Sequence, residues 1–195
     1  MTSLPQHLAQ LAQLCTRQVQ SPPTPWRETA THAIGGLLAV GYAENTDLLL
    51  VVSSQGRGVF DCLTGEKVAR DDTDPYPYFN EIKLIAHGIG PLTDRTIHIA
   101  GLHGGGLPHY THDGWSLKAF SIMWPHHDIV LEYPYQSIYN HIDNGVKVGE
   151  DGACELRAYG FSQTGQSFII ATSCDITLFT RQDDLSSSKN DKDSR

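Results

Sequence analysis

Residues 158–181 read AYGFSQTGQSFIIATSCDITLFTR, and the reading of this stretch decides the fold. An aromatic entry leads into the polar turn Gln163-Thr164-Gly165-Gln166, then the run SFIIATS, a Ser-containing turn and a second apolar run. SFIIATS carries no charge and is rich in branched side chains. That composition suits a strand covered on both faces, not one that alternates between core and water. With turn residues at both ends, the stretch predicts a pair of buried antiparallel strands.

The same order recurs upstream. Residues 39–62, AVGYAENTDLLLVVSSQGRGVFDC, place the turn Glu44-Asn45-Thr46-Asp47 before the run LLLVVSS. Between the two, LIAHGIGPLTDRTIHIAG (84–101) and LKAFSIMWPHHDIVLEYP (117–134) again read strand, polar or Pro-containing turn, strand. The turn centres fall near Asn45, Thr93, His126 and Thr164, at steps of roughly 30 to 50 residues, the range of propeller blades and related repeats. The expectation is a mainly β protein: a propeller-like repeat of about four small antiparallel sheets, or a β-sandwich.

The flanks differ from this β region. Leu8, Leu11, Leu14, Cys15 and Val19 recur at spacings of three and four, which predicts one N-terminal amphipathic helix. SPPTPW (21–26) ends it, because proline has no N–H to donate and restricts the residue before it. At the other end, QDDLSSSKNDKDSR has almost no apolar content and predicts a disordered tail. The expected organisation is a helix and Pro-rich linker over 1–26, one β-repeat domain over 27–181 and a tail over 182–195.

On these residues two resemblances can be stated. FSQTGQSFIIATSCDITLFTR resembles the core of a WD40-type blade. VFDCLTGEKVAR (59–70) is similar to the hairpin of pyrroloquinoline-quinone-type and WD-type propellers, in which Asp61 accepts turn N–H bonds and Gly65 takes a positive φ. The Trp-Asp dipeptides and the Gly-His signature of such blades are missing. The run SSQGRGVFD (53–61) also resembles short bacterial proteins of no assigned activity, a likeness that supplies a family but no function.

Composition excludes several classes. The 195-residue chain has a formal net charge of −8, which argues against a nucleic-acid binder, since that role needs a basic surface to release phosphate counterions. No apolar run approaches the roughly 18 to 20 residues of a membrane span, and the N-terminus lacks the charged-then-apolar order of a secretory signal. A cytoplasmic location is therefore expected. Cys15, Cys62, Cys154 and Cys174 form no C-x-x-C pair, so all four are expected to be reduced and inert.

The stretch AGLHGGGLPHYTHDGW (100–115) invites an esterase reading, with His103-Gly104-Gly105-Gly106 as an oxyanion loop. It fails for want of a Gly-x-Ser-x-Gly nucleophile turn. A metal reading gathers His103, His109, His112, His126 and Asp128, since imidazole and carboxylate suit zinc or iron. Six of the ten histidines fall between His98 and His127. Adjacent histidines on a strand diverge, however, and His109 and His112 point to opposite faces unless their loop curls.

The acid-flanked aromatics offer a third reading. Asp74, Tyr76, Tyr78 and Phe79 lie in the loop ARDDTDPYPYFNE (69–81), and Trp115, Trp124 and Tyr135 add further aromatic surface. Such residues give contact area at low entropy cost. The favoured expectation is a non-catalytic module that binds another protein: no catalytic signature or cofactor motif is present, and negative charge steers association with a basic partner. An immunity-type or inhibitor-type partner of a toxin or enzyme is the sharper form, and a second copy of the chain is a further candidate partner. The competing expectation is a metal-dependent hydrolase or oxygenase built on the His98 to His127 histidines.

Overall fold

The computed structural model describes residues 6–181. Helix α1 (Gln6–Cys15) is followed by an extended linker and β1 (Trp26–Ala33). Then come β2 (Leu37–Tyr42), β3 (Leu48–Ser53), β4 (Gly56–Asp61) and β5 (Glu66–Asp71), each antiparallel to the last. Three short strands follow, β6 (Phe79–Asn80), β7 (Ile85–His87) and β8 (Thr96–His98), and β9 (Ala100–Gly101) returns to pair with β2. A third group comprises β10 (Ser116–Phe120), β11 (Asp128–Glu132) and β12 (Gly145–Glu150). The last strands are β13 (Leu156–Phe161), β14 (Ser167–Thr172) and β15 (Asp175–Arg181).

Among the described residues these strands form four antiparallel sheets. Sheet I is β1-β15-β14-β13, sheet II is β5-β4-β3-β2-β9, sheet III is β6-β7-β8 and sheet IV is β10-β11-β12. Sheet I therefore takes its edge strand from the N-terminal side of the chain: β1 pairs with β15 from Trp26↔Arg181 to Ala33↔Asp175. The four turn centres expected from the sequence each fall between strands of a different sheet.

Side-chain parity explains the layering. In β3, Leu49 and Val51 face sheet I, where they meet Ile169, Ala171 and Leu178, whereas Leu50 and Val52 face sheet III with Ala86 and Ile97. In β14, Ile169 and Ala171 face sheet II while Phe168 and Ile170 face Leu117, Ile129 and Leu131 of sheet IV. The packing order is thus III, II, I, IV, with α1 covering the far face of sheet IV through Leu11 and Leu14 against Phe120, Val130 and Ile138. The two charge-free runs are the strands buried on both faces, as their composition requires. The 59–70 hairpin also follows its chemistry: Asp61 accepts from the Leu63 N–H at 2.9 Å, and Gly65 has φ +80°.

Several expectations are corrected. The helix stops at Cys15 rather than Val19, and the Gln20 N–H donates instead to the Lys147 carbonyl at 2.9 Å. The acidic loop is shorter than 69–81, since β5 runs to Asp71 and Phe79–Asn80 is strand β6. Cys154 and Cys174 are joined by a disulfide across a Cα separation of 6.2 Å. Sequence spacing hides this pair because it links the turn before β13 to the turn between β14 and β15, which meet where Ser173 N donates to the Glu155 carbonyl at 2.7 Å. The tail over 182–195 lies outside the described residues.

Cys15 and Cys62 are free and buried, and burial pushes both thiols up to about 12. A thiol reagent at neutral pH should therefore find none in the native protein, two in guanidinium without reductant and four after reduction. Four before reduction would contradict the bond.

Candidate interaction site and the cavity behind it

The β10–β11 hairpin carries a run of exposed apolar side chains at its tip. Its tip places Ile122, Met123 and Trp124 in solvent, Met123 at 68% and Trp124 at 80% exposure. Large apolar side chains scattered singly are ordinary on surfaces, but three in succession on a turn are not. Ile122 and Met123 share a groove of about 500 Å³ with Cys15 from the end of α1 and Val19 from the linker after it. The groove is edged by Arg17, His126 and Glu150.

The base of this hairpin is held by buried charge. Lys147 on β12 is 4% exposed, and its ammonium reaches Asp128 at 2.6 Å, Glu150 at 2.6 Å and the Cys15 carbonyl at 3.0 Å. All three donors of the ammonium are thereby used, and α1 is tied to sheet IV. Burial works to lower the Lys147 pKa, but the bonds to Asp128 and Glu150 outweigh it and the value is raised. Glu132, 3% exposed, likewise accepts from Ser116, Lys118 and the Ile138 N–H.

A second buried acid stands behind the tip. Asp151 is 4% exposed; its Oδ2 lies 2.9 Å from His127 Nδ1, and its Oδ1 lies 3.6 Å from His126 Nδ1. Oδ1 is otherwise without a hydrogen-bond partner. The pairing follows from register: Asp128 opposes Glu150, so His127 and Asp151 stand one step further along β11 and β12. Engagement of Nδ1 leaves Nε2 as the open nitrogen of His127, and the residue borders a cavity of about 190 Å³. Trp124 packs its ring edge toward His127 at 6.4 Å.

Ser121 occupies the matching step beyond Phe120, which opposes Asp128. Serine, histidine and aspartate thus stand side by side just past the ends of three strands. The Ser121 hydroxyl is buried without a partner and is not part of the cavity lining. A further buried group, in which Ser167 donates to Asp47 at 2.6 Å and accepts from the Tyr42 hydroxyl at 3.2 Å, pins sheets I and II together. Burial raises the Tyr42 and Cys62 pKa values, which keeps both protonated.

The candidate metal ligands do not assemble. His103 pairs with Glu81 at 3.3 Å, His109 stacks on Tyr159 at 4.4 Å, and the His112 carbonyl accepts from Tyr135. His126 faces Asp151 and Asp128 is taken by Lys147. Among the described residues no group of three or more His, Cys, Asp or Glu is placed to hold a metal.

The aromatic candidates separate as well. Trp115 is 5% exposed and packs edge-on to Trp26, so it belongs to the core between sheets I and IV and not to a contact surface. Phe79 is half-buried against the core between sheets II and III. Tyr76 is exposed, its N–H bonded to Asp74, and Tyr78 lies under the Arg57 guanidinium at 4.0 Å. Tyr135 is exposed beside Gly114. Tyr76 and Tyr78 flank sheet III, while Trp124 rises from sheet IV, at the other end of the packing order.

No helix among the described residues is long and apolar enough to cross a membrane. Asp113 beside this region is held by Arg181 through contacts of 2.7 and 2.8 Å, and these bonds pull its carboxyl down to about 2. A lowered folded-state value means that the contact stabilises the fold above the ordinary aspartate range near 4 and is lost as pH falls toward 2. An NMR titration of the Asp113 carboxyl carbon should give a midpoint near 2, returning to the ordinary range in Arg181→Gln; an ordinary midpoint in the wild type would contradict the pairing. No protein-family model matches the chain, and no curated protein matches it.

Proposed function

We propose that the protein is a non-catalytic protein-binding module whose docking element is the β10–β11 hairpin tip. The observation that carries this reading is the exposure of Met123 and Trp124 on a tip whose base is held by the buried Lys147 and Asp151 contacts. An exposed Trp beside a groove of mixed polar and apolar lining matches the anchor residues that dominate interface energies. The partner is a basic protein, because the chain as a whole has a net charge of −8. An immunity-type or inhibitor-type partnership with a basic toxin or enzyme is the specific form of this reading. We further infer that the four sheets are the blades of a small propeller-like array, supported by their packing order and by β1 completing the sheet of the last three strands.

A cytoplasmic location would set this protein against the usual rule, since a disulfide persists most readily in an oxidising compartment. Alkylation of thiols in freshly lysed cells distinguishes the two, since only the first leaves Cys154 and Cys174 open to modification.

The docking reading is tested by capture at low ionic strength, about 50 mM salt, where charge steering is strongest. Wild-type protein should retain a basic partner, and the double variant Met123→Ala, Trp124→Ala should bind it at least about tenfold more weakly with its fold intact. Capture of no partner, equal capture by both forms, or self-association through the tip would each overturn it.

A further inference from the structure

The cavity behind the hairpin is built from three sheets. His127 comes from sheet IV, Arg157 and Tyr159 from β13 of sheet I, and Gly105 and Gly106 from the loop that follows β9 of sheet II. Its volume of about 190 Å³ equals roughly six water-sized groups at ~30 Å³ each.

The lining has two chemical halves. Ala100, Leu107 and Ala158, on the side of sheet II, are aliphatic, and Leu156 packs on the opposite face of sheet I, toward sheet IV. The lining also includes groups that carry or accept a proton: Arg157, His127 and His109. No Asp or Glu belongs to the lining, although the chain as a whole is acidic. The two acids that bear on it stand behind the cations: Asp151 on His127 Nδ1 at 2.9 Å and Glu155 on Arg157 at 2.7 Å. Burial lowers the pKa of His109, so this imidazole is neutral near pH 7. Arg157, 12% exposed, is permanently charged and is held in place by a bond from its Nε to the Leu37 carbonyl at 3.2 Å.

A ligand that satisfies both halves has one anionic end and a short apolar body. We propose that this cavity binds a short-chain aliphatic monocarboxylate, with its carboxylate on Arg157 beside His127 and its alkyl chain against the aliphatic side. Inorganic phosphate shares the anionic end but leaves the aliphatic side uncovered. This site does not depend on protein docking at the tip.

The test is a titration of the protein with sodium butyrate at constant ionic strength and fixed pH, followed through the His127 imidazole resonances. The expected result is saturable binding with a Kd on the order of millimolar, the range for so small a ligand, and Arg157→Gln should weaken it about tenfold or more. Non-saturating shifts, unchanged affinity in a folded Arg157→Gln, or phosphate binding as tightly as butyrate would each overturn the proposal. If Arg157→Gln does not fold, the wild-type comparison of butyrate with phosphate carries the same decision.

Discussion

The pairing of β1 with β15 is the constraint on which the rest depends. Sheet I sits between sheets II and IV, and its edge strand comes from the other end of the described chain. Trp26, opposite Arg181 in this ladder, is 3% exposed and packs among Trp115, Phe161 and Phe168, with the Arg181 guanidinium 4.6 Å from its ring. The strand therefore contributes both ladder hydrogen bonds and an aromatic anchor to the core between sheets I and IV. Without β1 that core would open at its edge, and an unpaired β15 would expose a template for association.

The two roles proposed for the hairpin draw on the same geometry. Its strands face sheet I on one side, which brings His127 to the cavity, while the turn beyond the last paired residues projects Met123 and Trp124 outward. Asp151 joins the two by contacting both histidines below the tip. The Asp151 carbonyl in turn accepts from the Cys154 N–H at 3.0 Å, so the disulfide to Cys174 fastens the turn that presents this acid to sheet I.

How far the sequence was legible depended on whether a feature was local. Runs such as LLLVVSS and SFIIATS declared two-sided burial by composition alone, and the Asp61 to Gly65 turn declared itself by residue chemistry. Features produced by register were not legible: His127 and Asp151 meet because β11 and β12 align them, and Cys154 meets Cys174 because two turns converge. Trp115 misled because a tryptophan after a Gly-containing turn reads as surface, whereas the ladder that starts at Ser116 carries its ring into the core. The histidine count alone pointed nowhere: His103 pairs with Glu81, His109 stacks on Tyr159, and His126 and His127 share Asp151, and number without convergence makes no metal site.

The most direct test of this account is residue-resolved hydrogen exchange on the native protein, comparing β1 amides bonded to β15 with amides in β14. Closure by β1 predicts that both open only with global unfolding, at free energies within about 1 kcal/mol of each other. Exchange of the bonded β1 amides through a separate, low-energy opening, with β14 still protected, would contradict the claim that this pairing holds the sheets together.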